Sequence, residues 1–182
     1  MAEKKLRFAI FGNGSKALES IQIWEMLDYL IKHSAEVYVE QSFYYALQHQ
    51  LKDDLEVDGL FEGSDFNADY VISLGGDGTF LKAASSVGAK QIPIIGVNMG
   101  RLGFLANVAP ADVISMLDNI FAGQYDIEER VVIQLDAGAE SLEGCPCALN
   151  DIAILKRDTA SMISIRASVN GEYLVTYLAD GL

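Results

Sequence analysis

Tyr70-Val71-Ile72-Ser73-Leu74-Gly75-Gly76-Asp77-Gly78-Thr79-Phe80-Leu81-Lys82 is the stretch on which the reading of this chain turns. It opens as a short apolar run with β-branched members, the pattern of a buried strand. The run breaks at Gly75-Gly76-Asp77-Gly78, three glycines around one carboxylate. Thr79 is a good N-cap, and Phe80, Leu81, Ala83 and Ala84 follow at helical spacing. Strand, glycine turn and helix, in that order, bring backbone N–H groups and the positive end of a helix up to a phosphate. Glycine also lets a ligand approach the backbone with no Cβ in the way. Asp77 is the odd member, because a carboxylate opposes the positive potential that a phosphate wants. It fits if it accepts the proton of an attacking hydroxyl or holds a magnesium ion, both of them parts in phosphoryl transfer. The plainer alternative is a tight turn in which Asp77 only caps the helix.

The flanking chain repeats the same alternation. Leu6–Phe11 reads as a first strand, Gly12-Asn13-Gly14 as a turn, and Ile21, Trp24, Leu27, Leu30 and Ile31 as one face of a helix over Ala17–Lys32. The turn lacks the rest of a G-x-G-x-x-G fingerprint, since Ala17 and Leu18 stand where it would continue. Glu36–Val39 is a second strand, and Phe43, Tyr44, Leu47 and Leu51 line a second helix, with the Phe43-Tyr44-Tyr45 aromatics read as core. The acidic residues from Asp53 to Asp65 read as an exposed connection. Beyond the central stretch, Ile92–Val97 is another buried strand. Strands alternating with helices predict a mostly parallel sheet with helices on both faces. In such sheets ligands sit beyond the carboxyl ends of the strands, where Gly75–Thr79 and Asn98–Phe104 would both lie.

The loop Asn98-Met99-Gly100-Arg101-Leu102-Gly103-Phe104 offers a cation and an aromatic. Arg101 can neutralise phosphate and Phe104 can pack on a ligand ring; alternatively the loop is a glycine-rich connection with Leu102 and Phe104 buried. Pro110 opens a helix carrying Val113, Ile114, Leu117, Ile120 and Phe121, and Gly123 ends it. The pattern then changes to strands, Arg130–Asp136, Cys147–Lys156 and Met162–Val169. Asn170-Gly171 between Ile163–Val169 and Tyr173–Val175 is a hairpin signal. A second, β-rich antiparallel domain therefore begins near Tyr125. Asn150 and Asp151 can both reach one ligand only at a strand end or bulge, because neighbouring strand residues face opposite sides. Asn suits a base edge and Asp suits ribose hydroxyls; an ordinary turn is the other reading.

The chain has 182 residues, with 26 acidic and 13 basic side chains for a net charge of −13. That balance argues against a nucleic-acid partner, and leaves local amides, helix ends and magnesium to supply positive potential for an anionic ligand. No apolar run is long enough to cross a membrane, and no signal peptide follows Met1. The two cysteines, Cys145 and Cys147, do not make a disulfide framework or a metal motif. His33 and His49 stand alone in polar surroundings and take no assigned role. Together these point to the cytoplasm.

Gly75-Gly76-Asp77-Gly78-Thr79 resembles the signature shared by NAD kinases, diacylglycerol and sphingosine kinases and, more loosely, phosphofructokinases. Gly96-Val97-Asn98-Met99-Gly100-Arg101-Leu102-Gly103-Phe104-Leu105-Ala106 is similar to the second NAD kinase motif, and Ala148-Leu149-Asn150-Asp151 to the third. All three stand in the family's order and spacing, from about Phe8 onward. The resemblance implies a Rossmann-like, phosphofructokinase-like α/β domain over residues 1–124 and the first part of a β-rich NAD-binding domain over 125–182. It implies transfer of a phosphoryl group from ATP, or polyphosphate, to the adenosine-ribose 2′-hydroxyl of NAD, giving NADP, with magnesium or another divalent cation, in a homodimer or homotetramer. It casts Asp77 as the catalytic residue that orients or deprotonates the hydroxyl. Asp77, Gly78, Phe104, Asn150, Asp151 and Asp180 would bind NAD; Gly75, Gly76, Gly78, Thr79 and Arg101 would bind phosphate. The cleft between the domains would house them. Many family members carry Glu where this chain has Asp151, one methylene longer with the same charge. Asp180-Gly181-Leu182 is similar to the start of a further motif whose loop does not follow, so the expectation is a chain shortened at its carboxyl end and inactive alone. A diacylglycerol-type lipid kinase would share Gly75–Thr79 but not the other two motifs; a nucleotide-binding module without turnover is the non-enzymatic alternative.

Overall fold

Val71, Ile72 and Leu74 are all buried although they alternate along one strand. A strand buried on both faces must lie inside a sheet covered on both sides. The computed structural model describes residues 5–13, 21–49, 55–100, 103–136, 138, 147–157 and 161–182. The chain divides into two compact units, Met1–Glu129 and Arg130–Leu182.

In the first unit the elements run β1 (Arg7–Gly12), α1 (Ile21–Lys32), β2 (Glu36–Glu40), α2 (Gln41–Gln48), β3 (Gly59–Phe61), β4 (Tyr70–Gly75), α3 (Asp77–Val87), β5 (Ile94–Asn98) and α4 (Val113–Phe121). The sheet has five strands in the order β3-β2-β1-β4-β5, and every pair is parallel. The α/β expectation is met. Alternation sorts the strands' side chains into two layers. Phe8, Ile10, Val37, Val39, Ile72 and Leu74 pack with α1, α2 and α4. Ala9, Phe11 and Val71 pack with Ala83 and Val87 of α3 on the other face. Each fully buried Ile, Leu or Phe contributes about 1.5–3 kcal/mol, whereas an exposed pair such as Lys32–Asp28 contributes below about 1 kcal/mol. The apolar layers, not surface charge, hold the sheet. Strand order reverses between β1 and β4, and at such a switch point the carboxyl edge of the sheet opens a crevice.

Three local expectations are corrected. The acidic connection contains β3, whose Phe61 is buried; pairing with β2 forms a strand of three residues that its glycine and acidic neighbours conceal. His33 is not alone: its ring stacks on Tyr29 with centroids 3.9 Å apart and lies beside Phe121. Tyr45 is exposed, so only Phe43 of the Phe43-Tyr44-Tyr45 run is deep core.

In the second unit, Asn170 and Gly171 take positive φ of 52° and 85°, as the hairpin signal requires. They join β8 (Ile163–Val169) to β9 (Glu172–Ala179). The other expected strands are shorter. Arg130–Asp136 contributes only β6 (Ile133–Gln134), and Cys147–Lys156 only β7 (Cys147–Ala148) and a bridge from Leu155 to Gly181. The alternating pattern reached further than the pairing, because each two-stranded ribbon has no third strand among the described residues.

Ser73 points into the α3 layer with its hydroxyl fully buried and without a partner. An unpaired buried hydroxyl costs about 1–3 kcal/mol. Ser73→Ala should therefore raise the unfolding midpoint in denaturant or leave it unchanged; a clear drop would show that the hydroxyl is paired.

Candidate active site at the carboxyl edge of the sheet

β4 ends at Gly75 and α3 begins at Asp77, with Gly76 in extended conformation as its cap and no side-chain capping bond. The helix thus starts three residues earlier than a Thr79 cap would have it. Thr79 is not the cap: it lies in the first turn, buried, with its N–H on the carbonyl of Gly76 at 3.0 Å. Its side chain packs over Gly75, where an added Cβ would sit 2.2 Å from Thr79 Oγ1. Gly75 and Thr79 are therefore partners in building the turn. Gly76 and Gly78 differ from them. Both are exposed, and a Cβ on either would meet nothing within 4 Å. The amides of Asp77 and Gly78 precede the first intrahelical bond and face out of the helix end. A side chain at either position would pack against nothing inside the fold.

Asp77 turns sideways, onto the loop after β5. Its Oδ2 accepts the N–H of Phe104 at 2.8 Å, and its Oδ1 accepts those of Leu105 at 3.0 Å and Ala106 at 3.1 Å. Three successive amides aimed at one anion form a nest. These bonds, Phe104 first, hold the Asp77 carboxyl below the usual aspartate range against a smaller opposing effect of burial. The carboxylate has about four accepting positions, so one remains open on Oδ2.

The loop itself is tied at its base. Asn98 N–H bonds the Val108 carbonyl at 2.8 Å and Val108 N–H bonds Gly96 at 2.9 Å. Asn98 is buried, with Oδ1 accepting the N–H of Gly100 at 2.8 Å. Met99 N–H reaches back to Gly75 at 2.9 Å, so the loop and the glycine turn do converge. Ala106 is fully buried and seats against Gly96, where a Cβ would stand 2.7 Å from the Ala106 Cα. Phe104 is 95% exposed, against the alternative that the loop buries it. Arg101 and Leu102 lie outside the described residues.

On the flank of α3, Lys82 Nζ meets Glu40 Oε1 at 3.0 Å. Glu40 ends β2 and caps α2, accepting the Phe43 N–H at 3.0 Å and the Ser42 hydroxyl. Burial raises its pKa, but the bonds from Ser42, Lys82 and Phe43, with the Lys82 charge, outweigh it and leave the carboxyl low. Sequence reading passed over this pair, whose members are 42 residues apart.

In the second unit, Asn150 and Asp151 are exposed and follow β7 in a bend, at a strand end rather than inside a strand. Asp180 pairs with Lys156. Among the described residues no group of three or more His, Cys, Asp or Glu side chains could hold a metal ion. Asp77 itself is a poor ligand, since three N–H donors occupy most of its lone pairs. The described residues do not fit a protein-held magnesium site.

The family described as ATP-NAD kinase N-terminal domain matches residues 8–125. An NAD kinase of Bacteroides fragilis is 50% identical over 177 residues, covering 97% of this chain and 61% of that protein. One from Porphyromonas gingivalis is 37% identical over 176 residues, covering 97% and 60%. The chain thus spans about three-fifths of these relatives' length. The crystal structure of yeast NADH kinase complexed with NADH matches with TM-score 0.75 at 19% identity, covering 99% of this chain and 57% of that one.

Because Asp77 has a lowered carboxyl pKa, its pairing stabilises the loop fully above the unfolded aspartate value and is lost as pH falls through the folded one. Asp77→Asn should speed amide hydrogen exchange at Phe104, Leu105 and Ala106 by about tenfold or more at neutral pH. Unchanged exchange would mean that the carboxylate does not hold the loop.

Proposed function

The chain belongs to the ATP-NAD kinase family, and we propose that it carries the phosphoryl-transfer half of such an enzyme, phosphorylating the adenosine-ribose 2′-hydroxyl of NAD at the expense of ATP. The observation that carries the proposal is Asp77 itself: a charged acceptor with one open position, beside the bare Gly76 and Gly78 backbone at a helix N-terminus.

In this reading the open lone pair of Asp77 Oδ2 takes the hydrogen bond of the 2′-hydroxyl and aims its oxygen at the γ-phosphorus. The new O–P bond forms as the bond to the β,γ-bridging oxygen breaks and ADP leaves; the hydroxyl proton, acidic once the O–P bond has formed, passes last to Oδ2 and on to solvent. A carboxyl held at low pKa is a weak base but a strong hydrogen-bond acceptor. Such a group suffices, because the transition state of phosphoryl transfer is loose and the attacking hydroxyl loses its proton late. Of the two roles expected for Asp77, orientation is therefore favoured over deprotonation. Gly76 and Gly78 let the phosphates approach, and the outward amides of α3 face the charge that moves to the leaving group. Magnesium would enter on the phosphates of ATP rather than in a protein cage. Asn150, Asp151 and Asp180 are assigned to the NAD, Arg101 to phosphate, and a cytoplasmic homo-oligomer is the proposed setting.

The test is NADP formation from ATP, magnesium and NAD, by this chain and by this chain extended with the remaining carboxyl-terminal part of the Bacteroides fragilis relative. The extended chain should make NADP, and Asp77→Asn in it should lower kcat by about a hundredfold or more with the fold intact. Absence of NADP from both chains would overturn the assignment, and full activity in Asp77→Asn would remove Asp77 from the chemistry. Asn150→Ala should raise KM for NAD by about tenfold and leave that for ATP near its starting value; an equal effect on both would take Asn150 out of the NAD site.

A further inference from the structure

Phe104 presents a contradiction that the fold does not resolve by itself. Its ring is 95% exposed, so it adds little to the packing of the folded chain. Its backbone, in contrast, is among the most restrained in the loop. Its own N–H and the next two are bonded to Asp77, and Ala106, two residues on, is buried against β5. A ring held out on a pinned backbone loses little freedom when a flat ligand covers it.

The pinning depends on Gly103. A Cβ there would lie 2.3 Å from Asp77 Oδ1 and 2.6 Å from Oδ2 and the carboxyl carbon. No real pair of atoms tolerates that approach, and the three nearest atoms all belong to Asp77. The φ of Gly103 is not in the left-handed region, so backbone strain does not require glycine here. The space that a side chain here would need is taken by the Asp77 carboxylate.

We infer that Gly103 is a positioning residue: the space it leaves lets Asp77 close on the loop, and that closure presents the Phe104 ring to a planar heteroaromatic base of the bound nucleotide. Asp77 then has two tasks on different lone pairs, one toward the loop and one toward the substrate hydroxyl. The inference rests on the proposed reading that this turn binds a nucleotide.

Gly103→Ala is the informative variant, because the atoms it displaces are the far end of one short side chain and the core is untouched. It changes neither Asp77 nor Phe104. Two readouts are taken on the carboxyl-terminally extended chain of the activity test: amide hydrogen exchange at residues 104–106, and calorimetric binding of an NAD analogue lacking the adenosine 2′-hydroxyl. The analogue removes the direct contact with Asp77, so any loss of affinity passes through the loop. Gly103→Ala should raise exchange at the three amides and weaken the analogue by about fivefold or more, the scale of a base–aromatic contact. Phe104→Ala should weaken it equally while leaving exchange slow. The double variant should bind about as the Phe104→Ala single does. Faster exchange with unchanged affinity in Gly103→Ala would overturn the inference and leave the nucleotide reading standing, as would losses that multiply in the double variant. Failure of the unsubstituted extended chain to bind either NAD or the analogue would overturn both.

Discussion

The carboxylate of Asp77, shared among three successive backbone N–H groups, is the constraint on which the candidate site depends. It joins the end of β4 to the far part of the loop after β5, whose start is already tied to Gly75 by the Met99 N–H. At an open edge like this one, hydrogen bonds to a charged acceptor compete with water and each contributes little net energy. Its consequence is geometric more than energetic. It sets where the helix end, the bare glycines and the exposed Phe104 stand relative to one another.

A chain of net charge −13 needs local positive potential to take an anionic nucleotide. In the proposed reading it comes from the outward amides at the start of α3, with Arg101. The nest at residues 104–106 is filled by an internal anion, so its three donors are spent on architecture, while those at the helix end face outward. The same donors keep Asp77 ionised, and so shape it as an acceptor that aims a hydroxyl rather than as a base that strips it.

The parallel sheet was legible because its strands are apolar runs punctuated by glycine, and periodicity reports burial directly. Gly75-Gly76-Asp77-Gly78-Thr79 was legible as a turn that brings a carboxylate to a helix end. What that carboxylate touches was not, for its partners lie 27 to 29 residues away and are backbone amides, which carry no sequence signal. Thr79 misled for a related reason. A threonine at a strand–helix junction looks like a cap, but here the chain turns at Gly76 and Thr79 fills the space beside Gly75. Gly103 was visible only as one more glycine of a glycine-rich loop; its meaning needed the position of Asp77. β3 was hidden by its length and its acidic flanks, and the short pairings in the second unit show alternation outrunning the strands available to pair.

The most direct test of the account is a crystal structure of this chain with NAD bound. It should show Asp77 Oδ2 within hydrogen-bond distance of the adenosine 2′-hydroxyl while Oδ1 keeps the amides of Leu105 and Ala106, with the Phe104 ring against a base. A carboxylate swung away from the loop to reach the ribose, or a ribose bound elsewhere with Asp77 still closed on its three amides, would contradict it.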